Sequence, residues 1–134
     1  GFQGRNPRTD FRGGGILSLI SLLYFAKRFP DSYNTMKESL AYDQDWFLAI
    51  SSINLTSHLM TYLYLNKETV PDERIKADRR RFKVFCTLNS KDKKTFFEMK
   101  SHAFNYMFLH WRKAVATNST GMPPLFNDSL KATM

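Results

Sequence analysis

"SKDKKTFFEMKSHAFNYMFLHWRKAVA", residues 90–116, is the stretch whose reading decides the fold. Phe96, Phe97, Ala103, Phe104, Met107, Trp111, Ala114 and Val115 recur with a period near 3.6 and so fall along one side of a helix. A stripe of aromatic residues and Met at that spacing is core material rather than a cofactor box. The spacing predicts a long core helix here, the second of two.

Working toward the N-terminus, "WFLAISSINLTSHLMTYLYL", residues 46–65, follows Asp45 as a candidate N-cap and carries Trp46, Ile50, Ile53, Leu59, Tyr62 and Leu63 at near-helical intervals. Its β-branched and aromatic content also fits a strand, but its length favours a helix, bounded by Asn66 and Pro71. The first core helix is expected after Gly13, Gly14 and Gly15, where Ile16, Leu19, Ile20, Leu23 and Ala26 follow helical spacing. Leu17, Leu22 and Phe25 make its other face apolar too, the pattern of a helix buried all round. Pro30 with Asp31 is expected to stop that helix and cap a short one with Tyr33, Met36 and Leu40 on its buried side. Residues 67–91 are polar and basic around "FKVFCTL" and read as helix or irregular structure. After "STGMPP", residues 119–124, Leu125 to Met134 can form a last short helix with Pro124 near its first turn. The sum is an all-α fold, a single compact domain of about five or six helices.

A chain of 134 residues is one domain by length, and 43% hydrophobic with twelve Phe is far too apolar for disorder. The lone Cys86 excludes an intrachain disulfide and points to a reducing compartment. Sequons at Asn54, Asn118 and Asn127 are read as chance. No apolar run reaches the roughly 18 residues of a membrane span. Twenty Lys and Arg against twelve Asp and Glu leave a net charge of +8, which favours acidic partners. Arg79, Arg80, Arg81 and Lys83, beside Lys76 and with Lys91, Lys93 and Lys94 following, are either a solvated connector or a basic docking surface for phosphates.

No G-x-x-x-x-G-K-[ST] phosphate loop is present, because Gly13, Gly14 and Gly15 lead into Ile16. His58, His102 and His110 lack metal-ligand spacing and Cys86 has no cysteine partner, so neither a metal nor a cofactor is expected, and each His reads as a surface or satisfied core residue. Asp43 and Asp45 read as caps rather than a carboxylate pair. Arg12 is the remaining candidate. A guanidinium carries permanent charge and a planar fork of donors suited to phosphate oxygens, and glycines beside it let backbone approach a partner closely. An arginine inserted in trans into a GTPase stabilises charge developing on the γ-phosphate, worth about 10³ to 10⁵ in rate, or roughly 4 to 7 kcal/mol. The same residue also fits an ion pair with Asp10, or plain solvation.

The run Gly1, Phe2, Gln3, Pro7, Thr9, Asp10, Phe11, Arg12, Gly13, Gly15, Leu17, Leu19, Leu22, Tyr24 and Phe25 resembles the signature of the ELMO domain family, in its ELMO domain-containing branch: G-F-Q-x-x-x-P-x-T-D-F-R-G-x-G-x-L-x-L, ending in L-x-Y-F. "FLAISSINLTSHL", residues 47–59, is similar to the family's F-A-I-x-x-I-N-[IL]-T segment, and Trp111 sits where the family carries a tryptophan. Ser18 stands where the family usually has glycine, a change expected to affect packing little. The family's residues upstream of G-F-Q precede Gly1, so residues 1–134 are expected to be an ELMO domain truncated at its N-terminus.

The resemblance implies an all-helical domain that activates GTP hydrolysis by Arf and Arf-like GTPases, with the arginine of D-F-R-G, here Arg12, as catalytic finger. The engulfment-scaffold branch, which works with an exchange factor on Rac, lacks that arginine. A GTP-loaded Arf-family GTPase is therefore the expected partner. Arg12 takes the catalytic role, with Gln3, Asp10, Gly13 and Gly15 supporting its loop and Leu17, Leu19, Leu23 and Phe25 anchoring the loop's far end in the core. The rival is a non-catalytic scaffold for small GTPases, exchange factors or cytoskeletal assemblies. A third reading puts an anionic membrane surface against residues 76–94, with nucleic acid disfavoured. The expected location is cytoplasmic, with membrane or cytoskeletal association in the rival readings.

Overall fold

The computed structural model describes residues 14–42, 48–65 and 79–117, and for residues 40–42 and 79 the backbone alone. Five helices account for nearly all of them: α1 (Gly15–Arg28), α2 (Pro30–Tyr42), α3 (Leu48–Tyr62), α4 (Arg79–Lys91) and α5 (Thr95–Thr117). The fold is all-α, with no strand among the described residues. The expected caps at Asp43 and Asp45, Trp46, the side chain of Leu40 and the last short helix lie outside them.

At 23 residues, about 35 Å, α5 is the spine of the domain. Its predicted stripe is the buried one: Phe96, Phe104, Met107 and Trp111 are inside, with Phe97, Ala103, Ala114 and Val115 half-buried. Phe108, Lys100 and Ser101 join them. α1 and α3 lie against α5, α2 closes over α1 and α3, and α4 leans on the start of α5. Among the described residues the core falls into two clusters. Phe25, Met36, Leu48, Leu55, Phe104, Met107, Phe108 and Trp111 form the larger, where Phe25 meets Phe104 edge-on at 5.2 Å. Leu59, Leu63, Phe85 and Phe96 form the smaller, under α4.

The joints follow local chemistry. α1 ends at Arg28, and the Phe29 N–H donates to the Phe25 carbonyl at 2.8 Å. Proline fits the first position of α2 because that position has no use for an N–H. Asp31 thus stands within the first turn of α2, where the helix dipole favours its charge, instead of capping it. α3 stops at Tyr62, ahead of the expected Asn66, as Tyr64 turns into the left-handed region at φ 59°. Residues 79–91, for which the sequence allows helix or irregular structure, are helical. Asp92 then starts α5, accepting the Lys94 N–H on its carboxylate at 2.8 Å and the Thr95 hydroxyl on its carbonyl at 2.6 Å.

α1 departs from expectation in its orientation. Ile16, Leu19, Ile20 and Leu23, the residues of its predicted core stripe, are exposed, Ile16 by 74% and Leu23 by 52%. Gly14, Ser18, Ser21 and Phe25 are buried instead. Of the four anchors expected for the loop, Phe25 is buried, Leu17 packs at the edge of the smaller cluster, and Leu19 and Leu23 face solvent. The reason is steric: small residues on one side of α1 let its backbone come close to α3, which a row of leucines would prevent. Ser18 is fully buried in that seam and its Oγ finds no hydrogen-bond partner among the described residues. Its substitution for glycine therefore bears directly on packing, contrary to the sequence reading.

Candidate functional site

The entry to α1 shows why two of the three glycines are needed. Gly15, the first residue of the helix, has φ +52°, a conformation that costs any residue with a Cβ. Gly14 is excluded from side chains by space: a Cβ there would lie 2.0 Å from the Ser18 Oγ and 3.2 Å from the Thr56 Cγ2. The chain's own turn into α1, pressed against α3, requires both. Gly14 also takes the N-cap place without a side-chain cap, and the first turn of α1 holds no acidic residue, so the positive end of the helix is left uncompensated by its own side chains. Gln3, Asp10, Arg12 and Gly13 lie outside the described residues; Gly15 is the member of that predicted set whose geometry is given.

The predicted basic surface is the first half of α4. Arg79 opens the helix, Arg80 and Lys83 are exposed, and Arg81 is half-buried with its guanidinium over the Tyr62 ring, 4.3 Å from the centroid. The first turn of α4 carries no acidic residue either. Beside these arginines a largely apolar cavity of about 350 Å³ opens between α4, the end of α3 and the start of α5. Its lining includes Tyr62, Leu63, Val84, Phe85, Leu88 and Met99. Sequence reasoning singled out the charges and missed this hollow. The signal was present in Val84 and Leu88, apolar residues spaced four apart on the same helix as the arginines.

A polar cluster ties α1 to α5. The Tyr24 hydroxyl donates to Glu98 Oε1, which also receives the Arg28 Nε at 3.5 Å, and His102 Nε2 lies 3.9 Å from Glu98 Oε2. The hydrogen bond to Glu98 raises the Tyr24 pKa, with burial adding to it. Lys100 is the most unusual group. It is fully buried, its Nζ donating to the Ser52 Oγ at 2.5 Å and lying 4.4 Å from the Phe104 ring centroid. Desolvation lowers its pKa from 10.5 to about 7. The sequence signal for it was a lysine in register with Phe96 and Phe104 on the apolar stripe.

Among the histidines, His58 and His102 are exposed as expected, whereas the buried Nδ1 of His110 finds no hydrogen-bond partner among the described residues. No cluster of potential metal ligands occurs among the described residues, and no helix there is long and apolar enough to cross a membrane.

Comparison with known proteins places the chain. The ELMO/CED-12 family model matches residues 1–122. ELMO domain-containing protein 2 of Homo sapiens is 41% identical over 71 residues, covering 52% of this chain and 24% of that protein. ELMO domain-containing protein C of Dictyostelium discoideum is 25% identical over 134 residues, 98% of this chain and 21% of that protein. ELMO domain-containing protein 1 of Bos taurus is 64% identical over 28 residues, 21% of this chain and 9% of that protein. The matches thus span about a quarter or less of these relatives' length. No solved structure matches. With the family model running from the glycine-rich opening through all five helices, the chain belongs to the ELMO/CED-12 family.

Proposed function

We propose that this domain binds a GTP-loaded Arf or Arf-like small GTPase and accelerates its GTP hydrolysis by supplying Arg12 in trans. The observation that carries the reading is the fixed entry to α1 two residues beyond Arg12. Gly14 lies against Thr56 of α3 and Gly15 holds a left-handed turn, so the chain that follows Arg12 in sequence enters α1 at a closely packed point. The start of α1, which among the described residues has no side-chain cap and no acidic residue in its first turn, adds to the attraction for phosphate. In this mechanism the Arg12 guanidinium hydrogen-bonds the β- and γ-phosphate oxygens and stabilises the charge that grows there in the transition state, with no covalent intermediate. Asp10 orients the guanidinium, Gln3 supports the loop, and the GTPase supplies the residue that positions the attacking water.

The test is single-turnover GTP hydrolysis by a panel of Arf and Arf-like GTPases, with binding to each GTP-loaded form measured in parallel. A cognate GTPase is expected to speed up by about 10³ to 10⁵, with Arg12→Ala and Arg12→Lys losing most of that while still binding, since lysine keeps the charge but not the fork. Acceleration that survives both substitutions sinks the reading.

One observation favours the non-catalytic rival. The exposed stripe of Ile16, Leu19, Ile20 and Leu23, immediately after the loop, is the kind of apolar face that protein partners cover. GTPase binding that is weakened by Leu23→Asp, with hydrolysis unchanged throughout the panel, would replace the activator with a scaffold.

A further inference from the structure

We propose that Thr56 of α3 is a positioning residue for Arg12, its methyl group setting the point at which the chain that follows Arg12 in sequence enters α1. The inference rests on the reading of Arg12 as the group supplied in trans, and it names what places that group. Thr56 is fully buried, and its hydroxyl donates to the Ser52 carbonyl at 2.9 Å, one turn back on its own helix. A threonine bonded in this way is held in one rotamer, so the direction of its methyl group is set as well. That methyl group meets α1. Among the described residues, Thr56 Cγ2 is the nearest atom from outside α1 to the place a Cβ on Gly14 would take, at 3.2 Å.

Both sides of this contact are held. On the α3 side Ser52 is tied to the spine of the domain, because its Oγ accepts the Lys100 Nζ at 2.5 Å. A run of contacts therefore leads from Lys100 of α5 through Ser52 and Thr56 to Gly14. On the α1 side the Ser18 N–H donates to the Gly14 carbonyl at 3.4 Å, and the Ser18 Oγ closes the space beside Gly14, which thus lies between Ser18 and Thr56. Gly14 is two residues past Arg12, and two residues of chain span at most about 7 Å. A displacement of Gly14 is passed to Arg12 over that short tether. Stabilisation of a transition state by a guanidinium is sensitive to such a displacement, since a misplacement of about 1 Å costs about 10²-fold in rate. In Thr56 the hydroxyl orients and the methyl group makes the contact, so substitution can separate the two.

Single-turnover GTP hydrolysis at saturating domain, with binding to the GTP-loaded GTPase measured in parallel, tests the inference on the whole chain. Thr56→Ser keeps the hydroxyl and removes the methyl group, so its maximal rate should fall by at least about tenfold while binding stays within about twofold. Thr56→Val keeps a methyl group toward Gly14 and should recover most of that loss, the reverse of the order expected if the hydroxyl mattered. In an Arg12→Ala background Thr56→Ser should cost nothing further, because Thr56 acts through Arg12. Amide ¹⁵N relaxation of the free domain needs no GTPase: the Arg12 and Gly13 backbone should lose order in Thr56→Ser and keep it in Thr56→Val. The inference is overturned, with the Arg12 reading left standing, if Thr56→Ser keeps the full rate that Arg12→Ala loses, or if Thr56→Ser slows the Arg12→Ala domain as much as the unaltered one. An Arg12 amide equally ordered with and without the Thr56 methyl group overturns it whatever the GTPase panel shows. A panel with no acceleration by the unaltered domain removes the Arg12 reading and this inference together, a result distinct from the others.

Discussion

Lys100 has its ammonium in the aromatic core between α1, α3 and α5, with one hydroxyl, that of Ser52, as its hydrogen-bond acceptor and the Phe104 and Phe25 rings for company. An ammonium offers three donors and strongly prefers water, so burial favours the neutral amine and the pKa falls to about 7. The consequence for stability has a definite sign. Between about pH 7 and the ordinary 10.5 the unfolded chain binds a proton that the folded chain has released, so the folding free energy grows with pH across that window and is insensitive to this group below it. The slope approaches about 1.4 kcal/mol per pH unit at most. Urea melts from pH 6 to 9.5 should show the midpoint rising above pH 7, and Lys100→Met, which fills similar volume without charge, should be more stable at pH 7 and should flatten the rise. A Lys100→Met variant that keeps the same slope would mean another group sets it.

At the scale of the element, α1 is held by small residues rather than large ones. Gly14, Ser18 and Ser21 are buried while four large aliphatics face out, and Gly14 lies against Thr56 of α3, because close approach of two backbones needs small side chains at the seam. Gly14 and Ser18 share one space, and this makes a coupling measurable. Gly14→Ala should cost about 1 to 3 kcal/mol through overpacking, whereas Ser18→Ala should be neutral or stabilising because it removes a buried hydroxyl with no partner among the described residues. In the double variant the cost of Gly14→Ala should shrink by at least about 0.5 kcal/mol, since the nearest atom, the Ser18 Oγ, is gone, but not vanish, since Thr56 Cγ2 remains 3.2 Å away. Strict additivity in denaturant melts would contradict this account of the seam. The same seam marks the limit of what the sequence disclosed. Period and type were legible in α1, α3 and α5, because apolar spacing determines both. Direction was legible in α5, where the stripe of Phe96, Phe104, Met107 and Trp111 is the buried one, although Lys100 shares that side. It was not legible in α1, which is apolar all round, so that hydrophobicity alone cannot choose a face and the small residues at 14, 18 and 21 carried the answer. Of the candidate site, the arginines of α4 were legible as charge, but the hollow beside them is made by three elements that meet only in the fold.

For the whole molecule, the division of the core into two clusters sets how stability is distributed. The larger cluster joins α1, α2, α3 and α5 through Phe25, Met36, Leu55, Phe104 and their neighbours, so none of these helices can leave without exposing the others. Among the described residues α4 enters only the smaller cluster, through Phe85 set against Phe96 at 6.4 Å, and most of its other side chains are exposed. Its opening therefore exposes little apolar area, and its amides should exchange with solvent hydrogen through a local event of lower free energy than the opening of α3 or α5. Phe85→Ala should accelerate exchange in α4 while leaving the slowest amides of α5 nearly unchanged. Phe104→Ala, which empties the larger cluster at a cost of about 3 to 5 kcal/mol, should accelerate exchange everywhere. Equal protection of α4 and α3, with Phe85→Ala moving every helix alike, would show one cooperative unit instead.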